Sequence, residues 1–232
     1  MGRTRTKTRP DFEHDIRFTS GIATVNEAAR FAGMPATTVR SWTARSTEGG
    51  GPFVHTTRPS KQGWPNVPLT GIIESWSLRF LRDAGVPMQR ISSAVEAVRR
   101  DTDDQYVLAQ PILFTDTIDI YIQRGGDLYR AQDGQRPIKG VIETYLRRVT
   151  IDESDGFPSA FMVPLTAPGV VCTVDPRFNA GRLSLPNRVP VFSVLGALDA
   201  GQSKYLVAED FGIPLEQVEA VEHDHVFLRE VA

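Results

Sequence analysis

One spacing occurs twice in this chain, and it strongly limits how each segment can fold. Residues 28–42 read AARFAGMPATTVRSW, and residues 207–221 read VAEDFGIPLEQVEAV. In both segments a Gly is followed by an apolar residue and a Pro, with a Val six residues after the Gly. Gly favours the left-handed conformation that ends a helix, and Pro suits the start of the next one. Each copy therefore predicts two helices joined by a tight turn.

The first copy has the pattern of a DNA-binding helix-turn-helix. Thr24 and Glu27 have the spacing of a capping box, and Gly33 ends the first predicted helix. In the second predicted helix, Val39 and Trp42 lie three residues apart on the face that we expect to be buried. Its outward residues would be Thr37, Thr38, Arg40, Ser41 and Arg45. Arginine and hydroxyl side chains can bond to base edges and phosphates in a major groove, so we predict that these residues bind DNA. The alternative is a solvated helical pair without a ligand.

The segment after this motif is typical of a wing and two further helices. Residues 46–70 are rich in Gly, Pro and Thr, and could form a two-stranded wing against the DNA backbone. Their basic side chains, with Glu48 as the one carboxylate, give three more predicted DNA contacts at His55, Arg58 and Lys61. GIIESWSLRFLRDAG and MQRISSAVEAVRR then place apolar residues at helical spacing.

Residues of about 20–100 resemble the MerR family of winged helix-turn-helix proteins. The resemblance is carried by "TVNEAARFAGMPATTVRSW" and "LRFLRDAGVPMQRISSAVEAVRR". It implies a DNA-binding domain with a wing. MerR regulators also have a long coiled-coil helix and an effector domain, often with cysteines, and these have no counterpart here. Inducer sensing is therefore not implied.

The charge distribution agrees with a nucleic-acid partner for the first half. The formal net charge of −2 conceals 15 Lys and Arg against 8 Asp and Glu in residues 1–100, and 11 against 20 in residues 101–232. Such asymmetry indicates a basic part that meets nucleic acid and an acidic part with another role. The alternative is that surface charges simply fell this way.

The second copy predicts the same helical pair with an acidic face. Its outward residues include Glu216, Glu219 and Glu222, which DNA phosphates would repel. We therefore expect the first copy, and not the second, to bind DNA.

The C-terminal part resembles a small uncharacterised domain family seen in bacterial antitoxins. The matching stretch is VDPRFNAGRLSLPNRVPVFSVLGALDAGQ, followed by the second copy. Asn187-Arg188 departs from the Gly-Thr-Arg turn usual in that family. With the MerR-like segment, this resembles the VapB-type antitoxins, whose partners are PIN-like toxins. The resemblance implies operator binding by one end and toxin capture by the other. The residues that we expect to contact a toxin are Glu216, Glu219, Glu222, Phe227, Leu228 and Arg229. The alternative is that residues 226–228 close the domain's own core.

The fold class expected from these patterns is mainly α with a small α+β middle. Alternation in ILFTDTIDIYIQRGGDLYRA predicts a hairpin, PIKGVIETYLRRV a helix and FPSAFMVPL a strand. The predicted organisation is a disordered basic arm (1–19), a MerR-like winged helix-turn-helix domain (20–105), a small α+β connecting region (106–170) and an acidic helix-turn-helix-like domain (171–232).

The residues that could support catalysis do not form a recognisable pattern. GxSxG, Walker, dinucleotide and HExxH motifs are absent, and the carboxylates of residues 116–155 have no partner that makes an acid/base pair. Cys172 is the single cysteine and is read as a small buried residue; His223 and His225 would point apart on one helix. We expect neither an enzyme nor a catalytic, cofactor, metal or small-molecule site.

The expected partners are an operator DNA duplex, a PIN-like toxin and a second copy of the chain in a homodimer. No apolar run approaches the roughly 20 residues of a spanning helix, and the first residues lack the apolar region of a secretory signal. These features, with the single cysteine, predict a cytoplasmic protein. Two other functions stay open: a stand-alone winged-helix regulator with a C-terminal dimerisation or protein-interaction domain, and a protein-interaction adaptor.

Overall fold

A computed structural model describes residues 9–45, 51–83, 85–110 and 147–231. Over these residues the fold is mainly helical with one small sheet. The helices are α1 (Ile16–Thr19), α2 (Val25–Ala32), α3 (Ala36–Ala44), α4 (Leu69–Asp83), α5 (Met88–Thr102), α6 (Val191–Asp199), α7 (Lys204–Phe211), α8 (Leu215–His223) and α9 (His225–Leu228), with short 3₁₀ turns at Val107–Ala109 and Asn179–Gly181. The strands are β1 (Val149–Ile151), β2 (Pro158–Pro164) and β3 (Val171–Val174).

The three strands form one antiparallel sheet in the order β1-β2-β3. Phe161 of β2 is fully buried and pairs with Val149 on one side and Val174 on the other. Its ring meets the indole of Trp76 on α4 at a centroid distance of 5.9 Å. The sheet thus packs on α4, and the predicted strand in FPSAFMVPL is confirmed as β2. β3 lies beyond residue 170 and shares this sheet with β2.

One hydrophobic core runs through the described helices and the sheet. The link between the chain's two halves includes Arg17, which forms ion pairs with Asp15 and Asp155. It also includes Gly181, which packs so closely on Ile22 that an added Cβ would lie 2.5 Å from the isoleucine Cγ2.

Two segments differ from the sequence-based expectation. Residues 9–19, expected to be part of a disordered arm, include α1, which Asp15 caps by accepting a hydrogen bond from the Arg17 backbone N–H. The predicted hairpin and most of the predicted helix of the middle region fall in residues 111–146, outside the described part of the chain.

The wing segment is a loop rather than a pair of strands over its described residues 51–68. Its ends are joined by a hydrogen bond from the Thr57 N–H to the Asn66 carbonyl, 2.7 Å long. An isolated antiparallel bridge links Val67 to Ala23 before α2, and Pro52 is also an isolated bridge residue. Pro59, Pro65 and Pro68 lack the N–H donors that a longer ladder would need, which accounts for the difference.

Candidate nucleic-acid interface

The helix-turn-helix is built as the first copy of the spacing predicts. The Thr24 hydroxyl accepts from the Glu27 N–H while the Glu27 carboxylate accepts from the Thr24 N–H, so the capping box is confirmed. Gly33 has φ +62°, and a Cβ there would overlap the guanidinium of Arg79, which donates to the Ala32 carbonyl at 2.7 Å. Gly33 thus gives α2 both its left-handed end and room for the Arg79 cap. Pro35 is the N-cap of α3 rather than its first residue.

The second copy repeats this geometry in α7 and α8. Ser203 caps α7 by accepting from the Leu206 N–H, and Gly212 ends it with φ +61°. Ile213 is buried at the turn, as Val218 and Val221 are on the inner face of α8. The prediction of a repeated helical pair is confirmed.

The outward face of α3 carries the predicted recognition residues. Val39 and Trp42 are buried, whereas Thr37, Arg40 and Arg45 are exposed. Thr38 and Ser41 are half-buried, and the Ser41 hydroxyl donates to the Thr38 carbonyl at 2.7 Å. The sequence of α3, ATTVRSWTA, contains no carboxylate that would repel a phosphate. The face most open to a ligand therefore carries Thr37 and Arg40.

Asn26 on α2 is a neighbour of Arg40 that the sequence analysis missed. The Arg40 Nη2 lies 3.5 Å from the Asn26 Oδ1, at the limit of a hydrogen bond. Asn26 is exposed in the first turn of α2. The contact brings an amide beside the guanidinium on the outward face. The only sign of this contact in the sequence is that Asn26 is a polar residue in the first turn of the first predicted helix.

The segment after α3, described over residues 51–68, presents two of its three predicted DNA-contacting side chains to solvent. Arg58 and Lys61 are exposed, and the Lys61 Nζ lies 5.1 Å from the ring centroid of Trp64. Trp64 itself is 52% exposed, which is unusual for so large an apolar group. Sequence analysis did not single out this tryptophan.

The side chain of His55 is turned into the fold, away from solvent, which corrects its assignment as a DNA contact. Its side chain is only 12% exposed, and Nδ1 lies 2.7 Å from the Oε1 of Glu74, a fully buried carboxylate. The His55 backbone N–H also donates to Glu74, and its ring lies 4.4 Å from that of Tyr106. The buried carboxylate draws the imidazole inward, because an unpaired charge there would be costly.

The buried guanidinium of Arg99 supports the same part of the fold. Arg99 of α5 donates to the carbonyls of Gly51, Pro52 and Gln105. Burial lowers the pKa of its guanidinium, and the nearby carboxylates of Glu74 and Asp104 partly oppose this shift. Burial, with Glu74 and Asp104 adding to it, raises the pKa of Tyr106. These groups anchor the loop after α3 from inside, so they position the interface without forming it.

The predicted toxin-contacting residues divide into exposed and buried groups. Glu216, Glu219 and Glu222 are exposed along α8, and Glu219 pairs with Lys204 at 2.5 Å. Leu228 is fully buried and Phe227 packs partly buried against the core, while Arg229 pairs with Asp199. Leu228 is therefore not an exposed anchor. Its place in the core agrees with the alternative that this segment closes its own domain, although Val226 is 67% exposed.

The remaining groups considered for chemistry are isolated from one another. Burial raises the pKa of the Cys172 thiol to about 12, so that it stays protonated at neutral pH. His223 bonds to Asp224, and His225 to the Glu222 carbonyl. Within the described ranges, no cluster of three or more His, Cys, Asp or Glu side chains could hold a metal ion. In the same ranges, none of the helices is long and apolar enough to cross a membrane.

The first half of the described chain thus contains a helix-turn-helix of the DNA-binding class. Residues 22–95 match the family model described as "Putative DNA-binding HTH domain". The chain is also 28% identical over 230 residues to "Putative antitoxin VapB45" from Mycobacterium tuberculosis (strain ATCC 25618 / H37Rv), a match that covers 90% of this chain and 95% of the relative. Among solved structures, it is similar to Rv2018 from Mycobacterium tuberculosis, with a TM-score of 0.67, 28% identity, and coverage of 89% of this chain and 99% of that one.

Proposed function

We propose that the chain is a DNA-binding antitoxin of a type II toxin-antitoxin system. It would repress its own operon and neutralise a PIN-like ribonuclease, without being an enzyme itself. The observation that carries the proposal is the outward face of α3, where Thr37 and Arg40 are exposed while Val39 and Trp42 hold the helix in the core. The antitoxin role is supported by the similarity to an antitoxin over 90% of this chain.

The side chains of this face divide between reading bases and holding the backbone. Arg40 can donate two bonds to a guanine edge, and Thr37, one turn earlier, can reach an adjacent base. Arg45, Arg58 and Lys61 contact phosphates, which fixes the register of the helix in the groove. Thr38 and Ser41, half-buried, contact phosphate only through the exposed edges of their hydroxyls.

The toxin would meet the acidic face of α8 rather than the buried C-terminal residues. Glu216 and Glu222 are exposed carboxylates, and Glu219 has a single lysine partner. Such a face is complementary to the basic cleft that a ribonuclease needs for the phosphates of RNA. Bound there, the antitoxin would compete with RNA.

Other parts of the proposal concern organisation. The chain would act in the cytoplasm as a homodimer, because two-fold symmetric operators pair with two-fold symmetric proteins. The MerR-like wing corresponds to the loop around Arg58 and Lys61. The domain bounds at residues 20, 105 and 170 stay predictions.

The test uses the full-length chain with the DNA directly upstream of its gene. We expect binding to that duplex, co-purification with the product of the adjacent gene, and inhibition of that product's ribonuclease activity. The triple variant Glu216→Lys/Glu219→Lys/Glu222→Lys should keep the operator and lose inhibition. The triple variant Glu153→Lys/Glu209→Lys/Asp210→Lys, which changes the charge of three other exposed carboxylates by the same amount, is the control. Binding of DNA without any partner from the adjacent gene would favour a stand-alone regulator, and absence of DNA binding would overturn the proposal.

A further inference from the structure

A groove between the two halves of the chain is lined by cationic and aromatic side chains. On one side lie Arg58 and Trp64 of the loop after α3, and on the other Arg182. Arg182 also lines the neighbouring cleft that contains Arg188 and Phe178. We call these two clefts, which share Arg182, the inter-unit groove. The loop carrying the proposed phosphate contact Arg58 therefore faces an arginine of the C-terminal part.

The guanidinium groups of Arg188 and Arg182 in the inter-unit groove lie over aromatic rings. The Arg188 Cζ lies 3.6 Å from the ring centroid of Phe178, and the Arg182 Cζ lies 4.9 Å from that of Phe192. Phe192 is 42% exposed, so the pair formed with Arg182 is open to solvent. Stacking occupies the face of a guanidinium and leaves its N–H edges to bind another group.

The charge of these two arginines is not neutralised by the carboxylate that lines their cleft. Asp175 lines the same cleft but is held by Arg177, whose Nη2 lies 2.7 Å from Oδ2 and whose Nε donates to Oδ1 at 2.9 Å. Across residues 9–45, 51–83, 85–110 and 147–231, Arg182 and Arg188 form no ion pair. The cleft therefore presents two cations with available donors.

The backbone around the arginines is held in an unusual conformation. Asn179, Ala180 and Arg188 have φ of +50°, +53° and +67°, values that non-glycine residues rarely adopt. The Asn179 side-chain amide donates to the Ser184 hydroxyl and to the Arg188 carbonyl, both at 2.8 Å. Such conformations persist only where surrounding contacts fix them. The backbone of Arg188 is thus hydrogen-bonded to the turn at Asn179–Gly181, which directly precedes Arg182.

Charge along the C-terminal segment is segregated rather than uniformly acidic. Residues 171–232 contain 5 Lys and Arg against 9 Asp and Glu, but three of the arginines fall within residues 177–188. Every carboxylate of that segment except Asp175 lies at residue 199 or beyond. The negative net charge of the C-terminal part argued against DNA binding by that part. It is the sum of a basic stretch at residues 177–188 and an acidic stretch from residue 199 onward.

We propose that Arg182 and Arg188 bind the phosphate backbone of duplex DNA beside the site read by α3. This inference rests on the proposed DNA-binding function and extends its interface to the C-terminal part. Guanidinium edges match phosphate oxygens in a two-pronged geometry. Arg58 and Arg182 line the same cleft, which favours DNA over an acidic protein surface as the partner. A single DNA strand whose phosphates contact Arg58 can continue along the inter-unit groove to Arg182 and Arg188.

The test compares full-length variants on two duplexes from the DNA upstream of the gene. The segment of this DNA that the wild-type protein protects from nuclease cleavage is mapped first. The short duplex spans about two helical turns centred on that segment and the long one about four, at about 10.5 base pairs per turn. Arg182→Gln/Arg188→Gln should bind the long duplex at least about tenfold more weakly than wild type. The slope of log affinity against log salt should fall by about 1.8. On the short duplex the variant and wild type should differ little.

Two comparison variants separate this effect from lost charge and lost folding. Arg82→Gln/Arg100→Gln removes two exposed cations of α4 and α5, outside the inter-unit groove, and should leave both affinities near wild type. Arg182→Lys/Arg188→Lys should restore the salt slope. Unchanged long-duplex affinity of the glutamine variant would overturn the inference, as would loss of binding to the adjacent gene product with DNA affinity intact. Failure of wild type to bind either duplex would overturn the proposed function and the inference with it.

Discussion

Arg30 of α2 and Glu230 at the end of the described chain form a two-pronged ion pair. The Nη1–Oε2 and Nη2–Oε1 distances are 2.6 and 2.7 Å. Both residues line a cleft with Asn26, Pro35 and Ala36, at the turn that leads into α3. The C-terminal segment therefore reaches the helix-turn-helix and neutralises one of its cations.

Removing the Glu230 charge should strengthen DNA binding. In Glu230→Gln, Arg30 is released toward phosphate, so affinity should rise and the salt slope should steepen by about 0.9. Stability should change by less than about 1 kcal/mol, because the pair is partly exposed. Asp199→Asn, which removes the same charge from the Arg229 pair, is the control in a fluorescence titration at several salt concentrations. Equal changes in DNA affinity in the two variants would mean that the effect comes from the change in net charge and not from the release of Arg30.

The C-terminal segment should matter for stability through Leu228. Its side chain is fully buried, so Leu228→Ala should lower the free energy of unfolding by about 2–5 kcal/mol. Val226→Ala, two residues earlier and largely exposed, should stay within about 0.5 kcal/mol of wild type. Urea unfolding monitored by circular dichroism measures both. A neutral Leu228→Ala would mean that this segment does not close the core.

Acid should weaken the junction around Arg17. Burial raises the pKa of Asp15, but hydrogen bonds and charge from Arg17 outweigh it, so the pKa of this carboxyl lies below its ordinary value. The unfolded chain then takes up the proton first, and the stabilisation, complete above about pH 4, is lost as pH falls through the lower folded-state pKa. Unfolding free energies from neutral pH down to about pH 3 should fall less steeply in Asp15→Asn than in wild type. The exposed Asp210→Asn should keep the wild-type slope, and an identical slope in Asp15→Asn would contradict this assignment.

The close approach of the two halves at Gly181 should tolerate no side chain. Gly181 has φ +77°, and a Cβ would press on Ile22, so Gly181→Ala should destabilise the fold by about 1–3 kcal/mol. Gly196 of α6 has open space around it, and Gly196→Ala should instead stabilise by about 0.5–1 kcal/mol. Thermal melts of both variants, and of Gly181→Ala/Ile22→Ala, provide the check. Lack of partial recovery in the double variant would argue against the steric cause.

Local signals explain why both helical pairs could be predicted from the sequence. The Thr24–Glu27 capping box and the left-handed Gly33 depend on residues within one or two turns, and the structure follows them. The burial of Val39 and Trp42 also follows from helical periodicity.

The remaining features depend on contacts between distant residues, which a single sequence does not reveal. His55 is drawn inward by Glu74, which lies 19 residues later on a different element. Leu228 and Arg30 owe their surroundings to packing of the C-terminal segment against the rest of the fold. Charge totals likewise gave no sign that Arg182 and Arg188 share one surface. The path of the chain and the contacts of these arginines with aromatic rings decide which charges lie together, and composition does not record either.

The central claim is tested most directly by how strongly Arg40→Ala prefers the specific duplex over a scrambled one. The quantity measured is the difference between its two binding free energies. Full-length wild type, Arg40→Ala and Lys61→Ala are titrated with the DNA upstream of the gene and with a scrambled duplex of equal length. If α3 reads bases, Arg40→Ala should lose about 1–3 kcal/mol on the upstream duplex and little on the scrambled one. Lys61→Ala should weaken both equally and reduce the salt slope by about one. Unchanged discrimination in Arg40→Ala would contradict the assignment of α3 as the helix that recognises DNA.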